Sequence, residues 1–279
     1  MASSKALLDA RNEEILVDEE QPLDKRVAAA NYLGNVRNVH SIEKIAKVAV
    51  NEKEENSLRS ACIEALGKMR SRDGAIELIK PMRGMNEEIR TIGIFRERHP
   101  DSDMREPNYG LYVDVINALA NLRNSAVPDL FFAMWNSTRI DFTKDLAGIL
   151  GNIGSKSAVK LLIVCLRTSS NRKVSIAAED ALVNMGERII TPVSIAERGG
   201  YVPTQTRERI ITRIMERLEG SEGNGKISLA VNVLARPTFI ERVTEGNYRE
   251  AVRTAFAQAN ARRILRNANS ERIQRAKAA

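Results

Sequence analysis

The sequence predicts an all-α protein, an α-solenoid of about five to six helical hairpins with a C-terminal helical extension. Three observations carry this. Hydrophobic residues make up 43% of the 279 positions, yet only 4% are aromatic, so Leu, Ile, Val and Ala supply the core. Helices use that composition readily, whereas sheets draw on aromatic and β-branched residues. An apolar stripe at helical spacing recurs five times, centred on Leu33, Leu66, Leu119, Leu150 and Leu182. These leucines are 33, 53, 31 and 32 residues apart, and a near-constant step of this size marks a stacked repeat.

In each segment an apolar residue lies four positions before the leucine and another three after it. Ala29 and Val36 flank Leu33, Cys62 and Met69 flank Leu66, and Leu146 and Ile153 flank Leu150. That is the i, i+4, i+7 stripe of an amphipathic helix. A turn and a second apolar helix follow, starting near Ser41, Gly74, Ala126, Lys156 and Glu187. One such hairpin cannot bury its own apolar faces, so neighbours must stack to complete the core. A small residue follows four of the leucines (Gly34, Gly67, Ala120 and Gly151) and suits close approach between helices.

The motifs Ala65-Leu66-Gly67-Lys68-Met69 and Ile149-Leu150-Gly151-Asn152-Ile153 precede second helices that open on Ala75-Ile76 and Ala158-Val159. Together with Ala126-Val127, this pattern resembles HEAT repeats, most closely the short bacterial HEAT-like repeats of phycobilin lyase subunits. The resemblance covers about residues 24–219 and implies a binding scaffold. Three departures stand out. The third repeat is displaced, the fifth carries Val183 where the others have a small residue, and the C-terminal part leaves the pattern.

The organisation follows from these marks. Residues 1–23 form an acidic N-terminal helix or cap, with six acidic and two basic residues in the first twenty. Residues 24–219 form the solenoid. The long second step implies an insertion of about twenty residues near 86–109, read as a loop with one short helix over Glu87 to Phe95. Thr204 to Glu219 forms a further amphipathic helix. Residues 220–226 form a Gly-rich linker, and 227–279 an Arg-rich helical extension. From residue 246 onward eight basic residues stand against two acidic ones, which places most of the net charge of +7 in the tail.

No reactive constellation accompanies the scaffold in sequence. Cys62 and Cys165 lie among apolar helical residues and read as buried small hydrophobes. His40 and His99 are too far apart to form a metal pair at helical spacing, and no Gly-x-Ser-x-Gly elbow or phosphate-binding Gly-rich loop occurs. Neither a cofactor nor a metal is expected. The longest uninterrupted apolar run, Leu161 to Leu166, falls far short of the about 20 residues a membrane span requires, so the expectation is a cytoplasmic protein without membrane insertion.

The expected function is a noncatalytic scaffold or adaptor that binds another protein with an acidic surface, within a larger assembly. Candidate contact residues are Arg96, Arg98 and Tyr109 of the insertion, and Lys160 and Arg167 of a second helix lining the concave face that the resemblance implies. Arg209, Arg213 and Arg217 follow at i, i+4, i+8, then Arg249, Arg253, Arg262, Arg263 and Arg266 in the tail. Trp135, the single tryptophan, suits either a core position or a partly exposed anchor. The same cations suit a nucleic-acid backbone as an alternative partner. The resemblance adds a bilin-lyase-like enzyme subunit as another alternative.

Overall fold

A computed structural model describes residues 4–98, 108–167 and 172–220, and the described residues are helical with short turns and no strand. The described residues fall into two compact units, one up to Ala126 and the other from Val127 onward. None of the described helices is long and apolar enough to cross a membrane.

In the first unit, α1 (Ser4–Val17), α2 (Leu23–Asn35), α3 (Ile42–Val50), α4 (Asn56–Lys68), α5 (Arg72–Arg98) and α6 (Tyr109–Asn121) form successive hairpins. The first helix of each repeat stacks on the next, α2 on α4 and α4 on α6. Leu33, Leu66 and Leu119 are all buried at these contacts. The glycines after the leucines set the separation. A Cβ on Gly34 would lie 2.6 Å from the Cα of Ala65, and one on Gly67 2.8 Å from the Cα of Ala118. No side chain fits there, so these helices meet backbone to backbone.

Two buried arginines tie consecutive hairpins together. Arg26 donates from Nε to the carbonyl of Leu16 at 3.0 Å, and Arg59 donates from Nε to that of Ala49 at 3.2 Å. Both lie seven residues before a repeat leucine, and each satisfies a carbonyl at the C-terminal end of the preceding helix. Arg26 also holds Glu54 with two bonds, at 2.8 and 2.6 Å.

The insertion departs from the sequence expectation. Residues up to Arg98 continue α5 as one 27-residue helix, where a loop with a short helix over Glu87 to Phe95 was expected. Gly93 reads as a breaker in sequence, and α5 also carries Pro81 and Gly84, but packing overrides all three. Leu78, Met82, Asn86 and Ile92 continue one buried stripe, and α5 packs on α6. Asn86, the polar member of that stripe, donates from Nδ2 to the Tyr112 hydroxyl at 3.0 Å.

The second unit contains α7 (Val127–Trp135), α8 (Ile140–Ile153), α9 (Lys156–Arg167), α10 (Arg172–Asn184), α11 (Ile190–Arg198) and α12 (Thr204–Gly220). Here α8 stacks on α10, with Leu150 and Leu182 fully buried. The contact is looser than in the first unit. A Cβ on Gly151 would meet the Ala181 carbonyl oxygen at 3.4 Å, an ordinary contact distance. Trp135 is half-buried, its ring 5.5 Å from that of Phe131. The linker 220–226 and the extension 227–279 fall outside the described residues, apart from Gly220 at the end of α12.

Candidate anion-binding edge

Each repeat ends its first helix the same way, four residues after the leucine. There the backbone turns left-handed, at Arg37 (φ 54°), Arg70 (φ 49°) and Arg123 (φ 54°), then at Gly154 (φ 58°) and Gly186 (φ 70°). The turn after α2 shows why. Arg37 N–H donates to the Gly34 carbonyl at 3.1 Å and Asn38 N–H to the Leu33 carbonyl at 3.0 Å, a Schellman closure that requires a positive φ. Glycine adopts that conformation freely. An L residue with a Cβ is strained in it by roughly 1–2 kcal/mol. The second unit uses glycine, while the first carries arginine at all three of its turns. Strained backbone of this kind concentrates at functional sites.

Those turns line one depression of about 290 Å³ in the first unit, formed by Gly34, Asn35, Arg37, Gly67, Lys68, Arg70, Asn121 and Arg123. Four of its eight residues are cationic and none is acidic. Arg37, Arg70 and Arg123 are exposed, as are Asn35 and Asn121. Among the described residues, the side chains of these five make no ion pair or hydrogen bond. Lys68 alone is partnered, by Glu64 at 2.8 Å one turn earlier on α4. Neighbouring repeats are separated by roughly 8–10 Å, so the field of each guanidinium overlaps the next at physiological ionic strength. The edge can therefore receive an anion on forks that no protein carboxylate occupies.

The cations expected from sequence have other surroundings. Arg209 holds Glu179 bidentately at 2.8 and 2.6 Å, and Arg213 bridges Glu179 at 3.0 Å and Asp180 at 2.8 Å. Arg217 of α12 donates to the Asn184 side chain at the end of α10. These three latch α12 onto α10. Lys44 pairs with Glu13 at 2.6 Å, Lys47 with Glu43 at 3.0 Å and Lys80 with Glu77 at 3.1 Å, which neutralises much of the second-helix charge locally. Arg167 lies over the Tyr201 ring, 5.5 Å from its centroid, and Lys160 is half-buried on α9. Tyr109 is exposed at the start of α6, where the Asn108 side chain accepts from Leu111 N–H. Arg96 and Arg98 fall on the last turns of α5, with their side chains outside the described residues. Arg249, Arg253, Arg262, Arg263 and Arg266 also lie outside the described residues.

Burial would raise the Glu179 carboxyl pKa, but hydrogen bonds and charge from Arg209 and Arg213 outweigh it and hold the group below the ordinary glutamate range. A depressed folded-state pKa means the latch contributes fully above the unfolded glutamate value, about 4.3. That contribution is lost as pH falls through the folded value. Hydrogen exchange of the α12 amides should thus accelerate, relative to the rest of the second unit, as pH drops below about 4. In Glu179→Gln the excess exchange should be present already at pH 7 and vary less with acid. An α12 whose protection follows the rest of the unit at every pH would remove the latch.

Burial pushes the Cys62 thiol up to about 12, with Glu54 adding to the shift and Arg26 opposing it, and burial raises the Cys165 thiol as well. Both stay protonated at neutral pH and are poor nucleophiles. Among the described residues no three His, Cys, Asp or Glu side chains converge as a metal site would require.

No protein-family model matches the sequence, and no curated protein matches it. Among solved structures the chain is similar to human deoxyhypusine hydroxylase in complex with glycerol. That likeness has 15% identity, covers 77% of this chain and 98% of the other, and has a TM-score of 0.29. At that score it carries no argument about function.

Proposed function

We propose that this protein is a noncatalytic HEAT-like scaffold that binds another protein, and that the arginine edge of its first unit is the docking surface. One observation carries the reading. Three exposed arginines occupy strained turns where the second unit has glycine, around a depression that contains no carboxylate. Arginine forks bind carboxylates bidentately, which suits a partner with an acidic surface.

The test exploits the repeat itself. Because Gly154 and Gly186 show that glycine closes the same turn, Arg37→Gly, Arg70→Gly and Arg123→Gly together should leave the fold intact, with Tm at or above wild type. The full-length variant should lose partner proteins that wild type captures after nuclease treatment at matched salt. For an identified partner, the affinity should fall at least about tenfold. Retention of every partner by the folded triple variant would overturn the reading. Partners released by nuclease alone, with absorbance at 260 nm, would assign the edge to nucleic acid instead.

A further inference from the structure

We propose that the element docked on this edge is an extended acidic peptide segment, with a carboxylate at every third residue on Arg37, Arg70 and Arg123 and its backbone held by Asn35 and Asn121. The proposal rests on the scaffold reading and specifies what the edge recognises. Its first support is dimensional. Stacked helices place successive turns roughly 8–10 Å apart. A polyproline II strand rises 3.1 Å per residue and returns to the same face every three residues, about 9 Å. One carboxylate per three residues therefore meets one arginine per repeat.

The second support is chemical. Asn35 and Asn121 precede Arg37 and Arg123 by two positions and line the same depression, exposed and without a side-chain partner among the described residues. An amide side chain offers both a donor and an acceptor, the complement of a peptide unit. An isolated anion would use the arginines and leave the acceptors idle, whereas an extended backbone uses both. The equivalent position in the middle repeat is Lys68, which adds a cation beside Arg70. The third support is what the lining contains. Single-stranded nucleic acid is held by aromatic platforms on which bases stack, and the eight lining residues include no aromatic ring.

The experiment uses the full-length protein and fluorescence anisotropy at physiological ionic strength. The probes are a labelled peptide of repeated Glu-Ala-Pro triplets, a peptide of the same composition with its glutamates in one block, and oligothymidine. The triplet peptide is expected to bind at least about tenfold tighter than the block peptide or oligothymidine, by the affinity that well-placed arginine contacts contribute. Arg70→Gly should weaken it severalfold, and the triple Arg→Gly variant should abolish binding. Asn35→Ala with Asn121→Ala should weaken the triplet peptide while leaving the block peptide nearly unchanged. Equal binding of the two peptides, or tighter binding of oligothymidine, would overturn the proposal. If the triplet peptide fails to bind while protein partners still depend on the arginines, the edge docks a folded acidic surface and this inference falls alone. If the triple variant keeps every partner, the scaffold reading falls with it.

Discussion

Arg26→Ala is expected to destabilise the first unit by about 3–5 kcal/mol, the range for removing one partner of a buried ion pair. The Arg26 and Glu54 side chains are 7% and 11% exposed, and their two bonds are short. Truncation strands the Glu54 carboxylate in that setting and uncaps the Leu16 carbonyl as well. Both losses act together, because one guanidinium serves α1 through Nε and Glu54 through its two terminal nitrogens. Arg26→Lys should rescue little, since a single ammonium cannot reproduce that fork. Arg26→Met combined with Glu54→Leu should lie close to wild type, because an apolar pair carries no desolvation penalty. Urea denaturation followed by circular dichroism measures all three. A loss below about 1 kcal/mol for Arg26→Ala would mean that solvent screens the pair as it does at a surface.

Leu66→Ala should cost about 4–5 kcal/mol, near the top of the range for buried leucines, and Leu150→Ala nearer 2–3 kcal/mol. Both side chains are almost fully buried in equivalent repeat positions, so transfer from water does not separate them. The difference lies in collapse. Around Leu66 the glycine contacts on both sides of α4 already hold backbones at their closest approach, 2.6 and 2.8 Å from a notional Cβ. Those helices cannot move inward to fill a void. The corresponding distance beside Leu150 is 3.4 Å, which leaves some room to relax. Chemical denaturation of the two variants gives the comparison directly. The reverse order would show that backbone contact does not govern how the repeats respond to a cavity.

The helical repeat was legible because its signal is local. An apolar residue every three or four positions specifies one helix face whatever surrounds it, and Leu33, Leu66, Leu119, Leu150 and Leu182 are all buried. The second helices begin within a few residues of the places where turn and apolar pattern mark them. The glycines after the leucines were readable as packing residues for the same reason, since small residues in a stripe imply close neighbours.

The candidate site was less legible. Arg37, Arg70 and Arg123 share a register, four after each leucine, and aligning the repeats on that register would have lined them up with Gly154 and Gly186. That alignment alone does not say that the turn is left-handed, that the arginines line one depression, or that they lack carboxylate partners. By contrast, Arg209, Arg213 and Arg217 look like a free basic flank in sequence, and tertiary structure gives them Glu179, Asp180 and Asn184 some 30 residues away. The continuation of α5 belongs to the same class, because Pro81 and the glycines of that segment weaken a helix that burial against α6 restores. Periodicity is written along one helix and can be read from it. Whether a charge is neutralised, or a weak helix held, depends on side chains that only folding brings alongside.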